Sequence, residues 1–222
     1  MTFTQLMRKE ADEIWEASFD HPFVKGIGAG TLPLENFKYY VMQDAYYLTH
    51  FAKCQAYAGA KAVDLQTTAS LMDHAKGTYE AELALHRHFS KRLGVTKEMT
   101  QAFKPSPTAY AYTSHLYRSV LTGGFGDVIA ALLPCYWQYY EIGERLKTCS
   151  PKEVIYQEWI AAYGSDWFRH LVEEQVSRLD GLAELATDED LRRWKEHFML
   201  SSHYELAFWE MAYTLEGWVI GR

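Results

Sequence analysis

Hydrophobic positions recur at helical spacing along almost the whole chain, interrupted by short breaks rich in Gly, Pro, Ser, Thr and Asp. From Thr4 to about Ala17, residues Leu6, Ala11, Ile14 and Trp15 fall roughly on one face, followed by Phe19. The Asp20-His21-Pro22 step breaks that helix, with Asp20 placed to cap and Pro22 suited to a first turn. A short helical piece then dissolves in Gly26, Gly28 and Gly30. A long helix from about Leu34 to Ala62 holds Phe37, Tyr40, Val41, Asp44, Tyr47, Leu48 and Phe51 at i, i+3, i+4, i+7 spacing. A second runs from Leu65 to about Leu93, and Lys104-Pro105-Ser106-Pro107-Thr108 is the clearest loop. Helix resumes near Thr108, carries Tyr110, Tyr112, His115 and Tyr117, and stops at Gly123-Gly124. Asp127 opens the next, to about Lys147, and Ser150-Pro151 restarts the chain through Trp159 and Tyr163. Ser165 or Asp166 caps a helix from Trp167 to about Leu185. Thr187-Asp188-Glu189-Asp190 opens the last, whose core face includes Phe198, Ser201, Ser202, Glu205, Phe208, Trp209 and Ala212. No segment alternates with period two, and there is no glycine-rich phosphate loop and no repeat. The pattern predicts one all-α domain over residues 1–222.

Composition sharpens this. A chain of 222 residues, 48% hydrophobic, suits one domain with a sizeable core. A net charge of −7 argues against nucleic acid, which needs concentrated Lys and Arg. No run reaches membrane-span length and the first residues are amphipathic, so a soluble cytoplasmic protein with no membrane partner is expected. Three cysteines without CxxC spacing argue against a disulfide framework or zinc knuckle and fit a reducing compartment. Sixteen tyrosines, each needing a hydrogen-bond partner if buried, point to extensive interfaces or to a polar-aromatic pocket.

A few residues break the apolar faces. Pro134, inside a helical pattern, has no N–H to give the Ala130 carbonyl and should kink the helix there. Cys135 follows it directly, with Tyr139 one turn on. A thiol beside a phenol at a helix break can be a nucleophile, or an ordinary buried cysteine. Asp44 and Glu205 each put a carboxylate among aromatics; either is a structural group paired with a partner or a functional one, and burial would suit Glu205 to general acid work. Tyr47 lies at i+3 from Asp44 on the same face. Glu82 and His86 are i, i+4 neighbours with Asp73, His74 and His88 nearby, a candidate metal site, but Glu-x-x-x-His is not the spacing of di-iron bundles, and no metal is expected.

Five separated blocks together resemble the thiaminase II, or TenA, family of aminopyrimidine aminohydrolases. They are Lys38 to Leu48, Phe103 to Tyr110, Leu133 to Trp137, Tyr163 to Phe168 and Tyr204 to Tyr213. The resemblance spans essentially the whole chain. It implies a haem-oxygenase-like all-α fold, no cofactor and a homotetramer. It also implies hydrolysis at the methylene on C5 of a 4-amino-2-methylpyrimidine, giving hydroxymethylpyrimidine and ammonia in thiamin salvage, with thiamin itself also cleaved. Carried onto this chain, Cys135 is the nucleophile, Glu205 the proton carrier and Tyr47 a hydroxyl donor to the thiolate. Asp44 holds the aminopyrimidine edge, Tyr139 and Tyr163 bind by their hydroxyls, and Tyr112 and Phe208 wall the pocket. Two rival readings remain: a di-metal oxygenase of the same fold, using Glu82 and His86 with His170 or His203, and a non-catalytic pyrimidine-binding or regulatory protein. The acidic charge counts against direct DNA contact by the latter.

Overall fold

The computed structural model describes residues 1–219, without side-chain detail at positions 81–83, 85 and 86. The described residues form α-helices and no strand. In chain order these are α1 (Phe3–Glu10), α2 (Asp12–Phe19), α3 (Pro22–Ala29), α4 (Leu34–Lys61), α5 (Leu65–Arg92), α6 (Lys97–Ala102), α7 (Pro107–Thr122), α8 (Phe125–Leu146), α9 (Val154–Tyr163), α10 (Asp166–Ala183) and α11 (Asp188–Thr214). No helix among them is long and apolar enough to cross a membrane.

Caps explain most boundaries and correct two expectations. The first expected helix is two, joined at Ala11, where φ −82° and ψ 0° leave the helical region. The hydrogen-bond ladder still crosses the joint, from Ala11 N to Met7 O and from Trp15 N to Ala11 O. Met7, Ala11 and Trp15 thus stay fully buried on one face. The cap of α3 is His21, not Asp20: its Nδ1 accepts from Phe23 N, while Asp20 pairs with Lys25 at 2.8 Å. Ser165, Ser106 and Thr187 cap α10, α7 and α11 with their hydroxyls. Helix α6, capped by Thr96, had no expectation attached to it.

Helix α8 is the centre of the molecule, packing against α4, α7, α9, α10 and α11. Every residue from Gly126 to Pro134 is buried, so its first half has no solvent face. Pro134 does not interrupt it. Next to the carbonyl that Pro134 cannot serve, Ala131 O accepts the Ser201 hydroxyl of α11 at 2.7 Å. That hydroxyl proton is committed, so His115 Nε2 on α7 donates to Ser201 Oγ, at 3.1 Å. At the other end α8 meets the α9–α10 corner without room for a side chain. A Cβ on Gly143 would stand 2.4 Å from Gly164 N and 2.5 Å from the carbonyl carbon of Tyr163. This contact sets how Tyr163 is presented to α8.

Candidate active site

One cavity of about 620 Å³ opens between α4, α5, α8, α9 and α10. Asp44 from α4, Cys135 and Tyr139 from α8 and Tyr163 from α9 line its buried end. The buried His74, with Ser70, Asp73, Thr78 and Glu80 from α5 and Trp167, Phe168, Leu171 and Glu174 from α10, lines the rest, where Asp73, Glu80, Trp167 and Glu174 are exposed. Four of the eight residues singled out by sequence thus share one wall. The other four, Tyr47, Tyr112, Glu205 and Phe208, are not on the wall but are packed into the core behind it.

Behind the wall lies a polar-aromatic layer. Glu205 is 2% exposed, and burial pushes its carboxyl up to about 8, against a hydrogen bond from Tyr112 and with help from the Asp44 charge. Tyr112 donates that bond to Oε1 at 2.6 Å. Tyr47 packs on Tyr112, ring centroids 4.8 Å apart, and on Phe208 at 5.8 Å. Its buried hydroxyl makes no well-formed hydrogen bond, although the Tyr112 hydroxyl interacts with it and Cys135 and Glu205 lie within electrostatic reach. Burial raises the phenols of Tyr47, Tyr112 and Tyr139 well above their ordinary value, and the surrounding acidic groups add to it. All three therefore keep their protons and act as donors. On the facing side Trp159 Nε1 donates to Tyr40 at 3.4 Å, and Tyr40 to Tyr139 at 3.3 Å. That leaves the Tyr139 proton for another acceptor. Tyr139 and Tyr163 pack at 4.8 Å.

Sequence reasoning noted Asp73 and His74 only as neighbours of the Glu82 and His86 metal candidate, and missed that α5 and α10 form one side of the cavity. Thr78 donates to Gln55 Oε1 at 3.0 Å, Gln55 Nε2 donates to the Tyr136 hydroxyl, and Tyr136 meets His74 Nδ1 at 3.0 Å. Gln175 Nε2 also faces Nδ1, at 3.2 Å, so Nδ1 accepts and Nε2 carries the proton given to Glu174 at 3.1 Å. Burial pulls His74 below its ordinary value, against the pull of Glu174. Glu174 is raised by burial, but bonds from Ser70, His74 and Arg178 outweigh this and hold it at about 2. The signal was a polar stripe at Ser70, His74 and Thr78, four residues apart. Trp167, at the start of α10, is about half exposed and lines the cavity.

The metal candidates do not meet in what is described. Glu82 and His86 lie outside the described side chains, and His170 and His203 are exposed on α10 and α11. Among the described residues no group of three or more His, Cys, Asp or Glu is arranged to hold a metal ion.

Comparison with known proteins agrees with the geometry. The pattern of the TENA/THI-4/PQQC family matches residues 8–215. The chain is 60% identical to the protein of Bacillus subtilis (strain 168) named aminopyrimidine aminohydrolase, over 98% of this chain and 92% of that one. It superposes on the TenA homologue protein from P. horikoshii OT3 with a TM-score of 0.89 at 32% identity, covering 96% of this chain and 99% of the other. At 18% identity, a Shewanella denitrificans domain with a haem-oxygenase-like fold superposes at 0.74, covering 97% and 93%. The fold is therefore the haem-oxygenase-like one, and the chain belongs to the TENA/THI-4/PQQC family.

Proposed function

We propose that the chain is an aminopyrimidine aminohydrolase of thiamin salvage. It converts 4-amino-5-aminomethyl-2-methylpyrimidine and water to the 5-hydroxymethyl compound and ammonia, and it also cleaves thiamin to hydroxymethylpyrimidine and thiazole. The observation that carries the reading is the juxtaposition of Cys135 and Asp44 on one cavity wall, backed by a carboxyl, Glu205, that stays protonated at neutral pH. The relative named aminopyrimidine aminohydrolase supports the substrate class.

In this mechanism the Cys135 thiolate adds to C6 of the ring while Asp44 binds the 4-amino group and the adjacent ring nitrogen. Addition places negative charge on the ring, which a proton must meet, and Glu205, the buried acid behind the wall, is assigned to exchange it. Tyr112 orients that carboxyl through its 2.6 Å bond. The amine leaves protonated from the C5 methylene, water adds to the exocyclic methylene so exposed, and the thiolate departs as the ring regains aromaticity. A thiol suits both ends of this cycle, being a good nucleophile and a good leaving group. The Tyr47 hydroxyl is the donor assigned to the thiolate, and Tyr139 and Tyr163 give hydroxyl contacts to the ring. Phe208 walls the site indirectly, by bracing Tyr47.

An ammonia-release assay tests this. Wild type is expected to hydrolyse the aminopyrimidine, and Cys135→Ser to lose about a thousandfold or more in kcat. No turnover by folded wild type defeats the reading; turnover surviving in Cys135→Ser removes the covalent route alone. The proposal includes a cytoplasmic homotetramer. Light scattering on the purified chain is expected to give four copies, and a monomer overturns that part.

A further inference from the structure

The cavity wall carries four carboxylates, Asp44, Asp73, Glu80 and Glu174, and no Lys or Arg among the described residues. Asp44 is at the buried end. The other three stand at the mouth on α5 and α10, with Glu80 62% and Glu174 42% exposed. Glu174 is fixed there by Ser70, His74 and Arg178, so its charge neither swings away nor titrates near neutrality. The nearest cation, Arg178, is not on the wall; one of its nitrogens serves Ser70 and Glu174, and the other is buried without a partner. Lys76 stands 3.8 Å from Glu80 on the exposed face of α5. With Arg178 offsetting Glu174 and Lys76 offsetting Glu80, the mouth keeps a small net negative charge, and no cation lines the wall itself among the described residues.

The reading above says which end receives the ring, since Asp44, 4% exposed, and Cys135 line the same part of the cavity. With the ring there, the rest of the cavity lies toward the mouth, and the C5 substituent is assigned to it. The cavity, at about 620 Å³, also leaves room beyond a single six-membered ring.

Resting on the reading above, we propose that this mouth sorts substrates by the charge of their leaving half. It admits pyrimidines whose C5 methylene carries a cationic, phosphate-free group, and it rejects those whose leaving half ends in a phosphate ester. Glu174 is the specificity-determining residue, with Asp73 and Glu80 adding to its field, because a phosphate carries about −1.5 to −2 at neutral pH.

Calorimetric titration of Cys135→Ser protein with thiamin and with thiamin monophosphate tests this. The expected result is at least about fivefold tighter binding of thiamin. The preference should shrink about threefold or more when Glu174→Gln is added. Asp73→Asn/Glu80→Gln, which alters only exposed residues, is the second variant and should shrink it in the same direction. A preference below about fivefold, a preference unchanged in both variants, or no binding of either compound overturns the proposal. Failure of the catalytic reading shows separately, as absent aminopyrimidine hydrolysis by wild type, and the binding ratio is read without turnover.

Discussion

Glu205 shows how one buried carboxyl couples chemistry to stability. Its native pKa, about 8, lies above the unfolded value near 4.5. The native state therefore binds the extra proton between those limits, and folding stability falls as pH rises through that window. Below about pH 4.5 both states are protonated and the effect vanishes; above about 8 it levels off. Glu205→Gln removes the titration. In urea unfolding the variant is expected to gain on wild type by up to about 1.4 kcal/mol per pH unit across the window. A constant gap between the two proteins from pH 5 to pH 8 contradicts this. If Glu205 delivers its proton in the reaction, wild-type kcat/KM also declines above about pH 8. The burial of this residue was legible from its place on an apolar helix face, though the sequence left open whether the carboxylate is structural or functional. The role of Tyr112 was less so. Its spacing put it inside, but nothing in the order of residues reveals that its hydroxyl meets Glu205 from a helix 93 positions away.

At the scale of the element, α8 carries both the proposed nucleophile and the tightest helix approach. Its course was readable from its apolar density, and Pro134 proved compatible with a continuous helix. The joint at Ala11 and the cap at His21 escaped. Both are single-residue backbone decisions, and the hydrophobic pattern runs unchanged across them. The Gly143–Gly164 contact gives α8 its own prediction. Gly143→Ala forces α8 and the α9–α10 corner apart, at a cost of about 1–3 kcal/mol or more. Because Tyr163 stands at that corner, the expected outcome is a lower Tm together with a raised KM for the aminopyrimidine. A lowered Tm with KM unchanged would separate packing at the corner from ring binding.

Across the whole molecule, the all-α architecture and the deep half of the cavity were legible from periodicity, misplaced polar residues and family resemblance. The shallow half was not, since His74 and Glu174 are 100 residues apart and each looks like an ordinary surface residue on its own helix. Their meeting depends on how α5 and α10 are laid beside α8. The string Thr78, Gln55, Tyr136, His74, Glu174 also has a direction: every proton in it points the same way, from α5 through α4 and α8 and back to α5, ending on α10. Such a row behaves like a line of compass needles, in which one reversed member turns those beyond it. Gln55→Glu offers Tyr136 an acceptor in place of a donor, so the phenol turns toward residue 55 and presents its oxygen to His74. His74, already giving one proton to Glu174, is then asked for a second. The ring should take it up as a cation, and its NMR titration should move to higher pH than in the native protein. A His74 titration unmoved by Gln55→Glu would mean that the needles turn independently.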